Sequence, residues 1–490
     1  MRTLPKYTYR GLTVILANPS RHDKFKLLTG VVEHYFNLAC LQPEMNLLQV
    51  DVRTMDCPDP LLPNTKCLLV LGEPAMQKMF PNTAFSSLHK QRGAPFTWQG
   101  YPVIFSYFPQ DCMDVIDYEG LYNEKHNSQS EDESEDLTEK DGNKTARKHW
   151  KFWLQRDTMK ALAICKGGLP TEPSHNTITY PTLSQIREFL SVQGRSLYID
   201  IETDLSQNLY CIGVGSSSTS DVMVIPIFRY NLQLAYGTQT AIVLAYLSRA
   251  MARNECVFHN TAFDLLVLSW KYNCYFGRTL YDTMLAQHRC FPEAEKSLGH
   301  CISLWLYLPY HKDAHILTPQ SETQERQLYE YNANDVWTTR LVRERIDAHA
   351  ARVPGLADSI RQANSAIRPY IINTLMGVRY DEQRRVAIVQ ENDRLMQQYL
   401  RCIRILAGSS FLPTSPKQCV EYFNDKLGYP VMGKTETGAP SLDETAMQKL
   451  KLKLVDKEIE NPVIDFCLAY RQRKKETGAL NFNPWKEAVV

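Results

Sequence analysis

Three separated stretches of the sequence carry side chains suited to work on phosphate esters. In YIDIETD an apolar run ends in Asp200 and Glu202. Side chains two apart on a strand share a face, so both carboxylates converge on one spot. Buried carboxylates without partners are strongly disfavoured, and a hard divalent cation such as Mg2+ resolves that conflict by taking oxygen ligands. A strand emerging into solvent would end in the same two charges. In VFHNTAFDLLVL, Val257 and Phe258 lead into His259 and Asn260, and Asp264 falls in the first turn of an apolar helix. Helix capping alone would also choose a carboxylate there. In LYEYNANDVWTTRLV, Tyr331 and Asp335 lie four apart and share a helical face, a common pairing by itself. Together the three stretches point to more. In-line hydrolysis of a phosphodiester with two metal ions about 3.5–4 Å apart needs several bridging carboxylates and a positioned water. Asp200, Glu202, Asp264 and Asp335 provide the ligands, and Tyr331 a hydroxyl to orient or help activate that water. Two Mg2+ ions, with Mn2+ able to substitute, are the expected cofactors.

The elements that must position these residues begin at Ser196. Strands are expected over Leu197–Glu202, Tyr210–Gly215 and Val222–Pro226, then a helix over Thr238–Ala252, a short strand over Cys256–His259 and a helix over Phe263–Tyr272. Helices follow to about Ala348. Beyond that the chain is nearly all helical, with a Pro- and Gly-rich interruption from Leu412 to Ser441. Upstream, Leu47–Val52, Cys67–Gly72 and Pro102–Tyr107 are short apolar strands alternating with helix-like Lys24–Leu41 and Ala75–Met79, which suggests a three-layer α/β domain. Lys148–Ile164 is a helix with Trp150, Trp153, Leu154, Met159 and Leu162 on one broad face. Its KHWKFW run could stack bases, but a packed connecting helix explains the aromatic stripe better.

Composition bounds the rest. A chain of 490 residues calls for two or three domains. Its formal net charge of +1 provides no overall positive field, so any DNA path must be a local basic groove. The thirteen cysteines are scattered without a C-x-x-C pair, which suits reduced thiols in a cytosol. No apolar run reaches membrane-spanning length, and the expected location is cytoplasmic. NSQSEDESEDLTEK, from Asn127 to Lys140, is acidic and nearly devoid of apolar side chains, and should be a mobile linker.

The order and spacing of the carboxylate stretches resemble the DnaQ-like 3′→5′ exonucleases on the ribonuclease H-like fold, in the subclass whose third motif is Y-x-x-x-D. The resemblance covers about Ser196 to Ile346 and includes YDTMLAQHRCFPEAEKSLGHCISLWL, in which it implies that Asp282 supports the site from a helix start. The sister subclass has a histidine five before its last aspartate; here that position is Glu330, so the tyrosine form fits. His259 and Asn260 then orient Asp264 or contact the terminal nucleotide, although His259 needs no more than a neutral, hydrogen-bonded role at a strand end.

From Ile367, the stretches IRPYIINTLMGVRYDEQRRVAIVQEN, FLPTSPKQCVEYFNDKLGYPV, KTETGAPSLDETAMQKL and NPVIDFCLAYRQRKKETGAL resemble the helix leading into the thumb, and the thumb itself, of family A DNA polymerases. The resemblance implies that Met376, Gly377, Val378 and Asp381 open a long helix, and that Ser415 to Gln418, with Lys417, start the next. It also implies that Lys434, Gly438 and Ser441 cross the thumb tip, and that a helix ending in Arg471, Lys474 and Lys475 grips duplex DNA. A glycine- and lysine-bearing tip suits phosphate contact without sequence readout, although a solvated helix face would carry the Arg471–Lys475 charges as well. After Leu480 the palm and fingers of that family do not follow. The chain is therefore expected not to polymerise alone, being either part of a longer polymerase or half of a split one.

LLVLGEPAMQKMF and KQRGAPFTWQGYPVIFSYFPQD resemble uracil-DNA glycosylase-like domains, with Phe108 where that family has histidine and without its Gly-Glu-x-Pro-Gly loop. An apolar ring cannot donate to a uracil oxygen, so a scaffold without glycosylase activity is expected. The combination looks like a bacteriophage replication polymerase, working in the bacterial host's cytoplasm.

The expected fold class is thus α/β. A three-layer glycosylase-like domain (1–126), an acidic linker (127–147), a ribonuclease H-like exonuclease domain with its leading helix (148–350) and a helical, thumb-like segment (351–490) make up the chain. The expected function is removal of nucleotides from DNA 3′ ends by proofreading-type hydrolysis. Alternatives are a ribonuclease D-type exoribonuclease and a non-catalytic DNA-binding or assembly module of a split polymerase. Expected partners are a single-stranded 3′ end or primer-template and a palm-and-fingers chain or other replication protein, with no membrane.

Overall fold

The computed structural model describes residues 11–16, 51–54, 60–81, 87–108, 150–434 and 439–480, except 278, 310, 312–315, 317, 378 and 380. These fall into two compact units, one ending at Met376 and the other beginning at Gly377. Among the described residues, no helix is long and apolar enough to cross a membrane. The helix expected over Lys24–Leu41, the acidic linker and Gly438 lie outside the described residues.

The first unit holds two sheets. The first contains β1 (Leu12–Leu16), β2 (Asp51–Thr54), β3 (Cys67–Leu71), β4 (Pro95–Trp98) and β5 (Tyr101–Ser106), in the order β2-β1-β3-β5-β4. All pairings are parallel except β4 with β5. The CLLVL run of β3 is buried throughout, as a central strand of a parallel sheet must be. Two helices lie along this stretch of chain, α1 (Glu73–Met79) and the short α2 (Leu88–Gln91). Helix α3 (Trp150–Gly167) covers the sheet with Trp150, Trp153, Leu154, Ala161 and Ile164. Its aromatic residues are therefore core, as their spacing predicts, but Met159 is 41% exposed and lies off that face.

Polar groups bury along the same helix. Asp157 accepts from Arg92 at 2.9 Å and from the Ser106 hydroxyl at 2.7 Å, while Arg92 also donates to Ser303. The Lys160 ammonium donates to the carbonyls of Gly93, Ser303 and Leu306.

The second sheet is formed by β6 (Asn176–Thr179), β7 (Ser196–Thr203), β8 (Leu209–Ser216), β9 (Asp221–Pro226), β10 (Glu255–Phe258) and β11 (Leu280–Asp282), in the order β11-β10-β7-β8-β9-β6. Strands β7, β8 and β9 are antiparallel neighbours, while β10 runs parallel to β7, β11 to β10 and β6 to β9. Strands β1, β4, β6 and β11 go beyond the sequence pattern; the last three, at three or four residues each, are too short for an alternation to register.

Between and after the strands come α4 (Leu183–Ser191), α5 (Thr240–Arg253), α6 (Thr261–Trp270), α7 (Thr283–Cys290), α8 (Leu298–Trp305), α9 (Glu322–Ala350), α10 (Leu356–Ser365) and α11 (Ile367–Met376). Helix α4 starts in a reciprocal capping box between Thr182 and Gln185, and α9 starts at Ser321, whose hydroxyl accepts from Gln324 N–H. One face of the sheet buries Ile199, Ile201 and Ile212 with Val243 and Leu247 of α5 and Leu265 and Leu268 of α6. The other face packs Tyr198, Cys211 and Val224 against Tyr329, Ala333, Val336 and Trp337 of α9. The period-2 strand pattern sends alternate residues of β7 to these two cores.

The second unit is helical: α12 (Glu382–Ala407), α13 (Pro416–Val420), a wide π-helical turn at Glu421–Lys426, a two-stranded hairpin of β12 (Gly433–Lys434) and β13 (Pro440–Ser441), then α14 (Glu444–Val455) and α15 (Pro462–Leu480). Asp381 caps α12 and Ser415 caps α13, at the two helix starts expected from the sequence. Ile403, Phe411, Phe423, Met447, Leu450 and Cys467 form the core of this unit.

Candidate active site

Asp200 and Glu202 lie on the face of β7 that meets α9, and Asp335 reaches them from that helix. Oxygens of these three carboxylates lie within 4.8 Å of one another. Tyr331, one turn earlier on α9, is buried beside them, and its hydroxyl bonds to Asp335. Burial and the charges of Asp335, Glu202 and Asp200 push the Tyr331 phenol well above its usual range. It therefore keeps its proton and can donate a hydrogen bond.

Asp264 arrives from the opposite side of the sheet. Strand β10 pairs with β7 only as far as Val257 opposite Tyr198. Past that point the Ile201 N–H, between the two strand carboxylates, donates to Asp264 Oδ1 at 3.1 Å. Burial first, then the charges of Asp282 and Glu202, raise the Asp264 carboxyl well above the usual range, against the pull of that N–H. Asp264 thus stands at the strand end as expected, but with one oxygen committed to the backbone and outside the tight three-carboxylate group.

Supporting contacts fix this arrangement. Asp282 caps α7 by accepting from Met284 N–H at 2.8 Å, and it also accepts from Asn260 N–H at 3.1 Å and Thr261 N–H at 2.9 Å, so it holds the start of the helix that bears Asp264. Asn260 is exposed and left-handed, with φ 68°. His259 Nδ1 lies 2.8 Å from the Thr283 hydroxyl, which itself donates to the Phe258 carbonyl. That hydroxyl must accept from His259, leaving the proton on Nδ1 and a lone pair on Nε2.

Two positioning residues carry no signal in the sequence. Asn332 Nδ2 donates to Asp200 Oδ2 at 2.7 Å and to the Asp200 carbonyl at 3.3 Å. Its neighbour in the sheet is Gly213, which pairs with Asp200 and leaves space for α9 to close down. A Cβ there would sit 2.3 Å from Asn332 Oδ1 and 2.7 Å from Val336 Cγ2. His311 Nε2 lies 2.9 Å from Asp335 Oδ1, with its ring edge-on to Tyr331 at 6.0 Å between centroids. A lone histidine in a loop has no spacing to mark it; a glycine in an apolar strand does mark a close approach.

The oxygen-only donor set of Asp200, Glu202 and Asp335 fits a hard divalent cation of the Mg2+ or Mn2+ type.

The expected DNA contacts in the second unit divide. Lys434, Lys474 and Lys475 are exposed. Lys417 is exposed beside Glu421, at 3.9 Å. Arg471 is different: it donates to the carbonyls of Pro413 at 2.7 Å and Leu442 at 2.6 Å and to the Cys419 sulfur at 3.2 Å. From a partly buried position its guanidinium braces this unit through these three contacts, unlike the exposed lysines that follow it.

Similarity to known proteins is distant. No protein-family profile matches the chain, and no curated protein sequence does. Among solved structures, the POL domain of Pol1 from M. smegmatis, in complex with a DNA primer-template and dNTP, superposes with a TM-score of 0.51 and 16% identity over 62% of this chain. The chain spans 49% of that structure, about half its length. A nuclease in its apo form aligns with a TM-score of 0.31 and 18% identity, over 40% of this chain and 89% of its own. The polymerase domain shares a fold with this chain over that span.

Proposed function

We propose that the chain is a divalent-metal-dependent 3′→5′ exonuclease that removes nucleotides from DNA 3′ ends, accompanied by a thumb-like helical unit and a glycosylase-like α/β layer without glycosylase chemistry. The observation that carries the reading is the convergence of Asp200, Glu202 and Asp335, with Tyr331 on the same helix and Asp264 at the Ile201 N–H. Three carboxylates brought together from two distant stretches would repel one another without a cation between them.

Asp200, Glu202 and Asp335 would hold the metal, and Asp264, at the Ile201 N–H, would help to hold a second ion. Bound divalent ions supply a nucleophilic water at neutral pH and offset charge on the scissile phosphate. The Tyr331 hydroxyl, whose proton is directed to Asp335, would accept from the attacking water and so orient it. Asn332 and His311 hold Asp200 and Asp335 in place. His259, with its Nε2 lone pair, and exposed Asn260 would contact the terminal nucleotide. The DNA preference rests on the thumb resemblance, with Lys434, Lys474 and Lys475 as the phosphate contacts.

A 5′-labelled single strand tests this. The parent chain with Mg2+ yields a ladder shortening from the 3′ end; EDTA abolishes it and Mn2+ restores it. The variant Asp200→Ala with Glu202→Ala stays folded and loses at least about 10³-fold in rate, the order expected when transition-state charge stabilisation is removed. Degradation at the parent rate by that variant refutes the assignment. A clear preference for RNA of the same length refutes the DNA reading alone.

A further inference from the structure

A second cluster of metal-type side chains lies apart from the carboxylate site, in the first unit. His89 of α2, His300 of α8 and Glu295 of the intervening segment before α8 bring their donor atoms within 4.8 Å of one another. Glu295 Oε2 lies 3.2 Å from His89 Nε2 and 3.3 Å from His300 Nε2. We infer that His89, Glu295 and His300 form a binding site for a zinc-class transition metal ion that ties α2, beside the first sheet, to α8, beside the second.

Three observations converge. First, the spacing is that of ligands around a metal. Zinc takes imidazole nitrogen at about 2.0–2.1 Å and carboxylate oxygen at about 2.0–2.2 Å, so the edge of its tetrahedron is about 3.3 Å. The two measured separations match that edge and exceed the about 2.7–2.9 Å of a charge-assisted hydrogen bond. Second, the atoms are shut away without hydrogen bonds. The His300 side chain is 7% exposed, and neither its Nε2 nor Glu295 Oε2 has a hydrogen-bond partner although both atoms are sealed from solvent. A buried polar atom left so is costly, and two of them 3.3 Å apart are satisfied together by one cation.

Third, the far nitrogens are already fixed. His89 Nδ1 lies 2.8 Å from the Tyr107 hydroxyl, and His300 Nδ1 lies 2.8 Å from the Ser297 hydroxyl. Each imidazole can then hold its proton on Nδ1 and present Nε2 to a metal, the outer arrangement that metal-binding histidines adopt. The rings meet at 4.4 Å between centroids, tilted by 47°, with Trp153 against His300. Two imidazoles and one carboxylate favour zinc-class ions over Mg2+, which prefers oxygen. Three protein ligands leave a fourth position for water.

The test uses the full chain, stripped with chelator and dialysed against Zn2+ or Co2+. The parent retains one equivalent of zinc per chain after gel filtration, and its Co2+ form shows the strong visible absorption of four-coordinate cobalt. The variant Asp200→Asn retains that equivalent. His89→Gln and Glu295→Gln lose it, by more than the roughly 10–100-fold in affinity that outer-shell partners cost. Glu295→Gln is nearly isosteric at a residue whose side chain is 28% exposed, so it decides the matter if a histidine variant fails to fold. A parent chain that retains no zinc overturns the proposal. So does retention by Glu295→Gln, or loss in Asp200→Asn instead, which would put the ion among the carboxylates.

Discussion

Substituting Gly213 by alanine tests whether the approach of α9 to β8 sets the active geometry. The added methyl would lie 2.3 Å from Asn332 Oδ1 and 2.7 Å from Val336 Cγ2, about 1 Å inside ordinary van der Waals contact. Asn332 could rotate away only by releasing the Asp200 carboxylate, which it holds at 2.7 Å. The branched Val336 side chain is stiff in a helix and cannot yield in the same way. The remaining response is withdrawal of α9 by about 1 Å, which carries Tyr331 and Asp335 away from Asp200 and Glu202. Overpacking of this kind costs about 1–3 kcal/mol, a fall in melting temperature of roughly 2–12 °C for a unit of this size. Misplacing catalytic groups by about 1 Å costs on the order of 10²-fold in rate. Gly213→Ala should therefore melt cooperatively, slightly early, and degrade a labelled single strand about a hundredfold more slowly at saturating Mg2+. A variant with the parent's rate and stability would refute the argument that contact at Gly213 positions the site.

Four further outcomes follow from other side chains. His311→Ala should lower the rate by about tenfold, with part of the loss recovered in His311→Gln, because a donor to Asp335 is restored; equal rates in both variants would show that the contact is idle. Burial lowers Lys160 to about 7 against the pull of Asp157, while a lysine of the unfolded chain titrates near 10.4. Between those values the unfolded chain holds the extra proton, so this contribution to stability is fully present above the unfolded value and is lost as pH falls through about 7. Urea melts of Lys160→Met across that window should show a flatter rise with pH than the parent, and an unchanged slope would be fatal to the assignment. In the second unit, Arg471→Ala should destabilise the fold by about 2–4 kcal/mol by stranding buried carbonyls. Lys474→Ala with Lys475→Ala should leave melting unchanged and lower the salt slope of DNA binding by about 0.7–0.9 for each phosphate no longer neutralised; the reverse pattern would reinstate Arg471 as a DNA-binding residue.

The strands and helices that frame the carboxylates are readable because each follows one clear period. YIDIETD alternates, ends in two charges and is β7; the apolar run after Asp264 is α6, starting two residues before the expected Phe263. Asn332 is not readable, since its value arises only when the register places Gly213 beside Asp200 beneath α9. His311 lies in a loop with no repeating pattern around it. Arg471 misleads for a related reason: a cluster of cations looks the same whether it faces phosphate or, one residue at a time, turns inward to backbone carbonyls. The pairing of His89 with His300 joins positions more than two hundred residues apart, with no local spacing to announce it.

The buried contact of Arg92 with Asp157 bears on how the protein can be dissected. A gene fragment starting near residue 150 would still encode α3, whose apolar side would lie bare to water. Asp157 would have neither the guanidinium nor the Ser106 hydroxyl to answer its charge, and breaking such a pair costs about 3–5 kcal/mol. Excising the second sheet and its helices at the start of α3 therefore invites aggregation, whereas beginning after Gly167 removes helix and charge together.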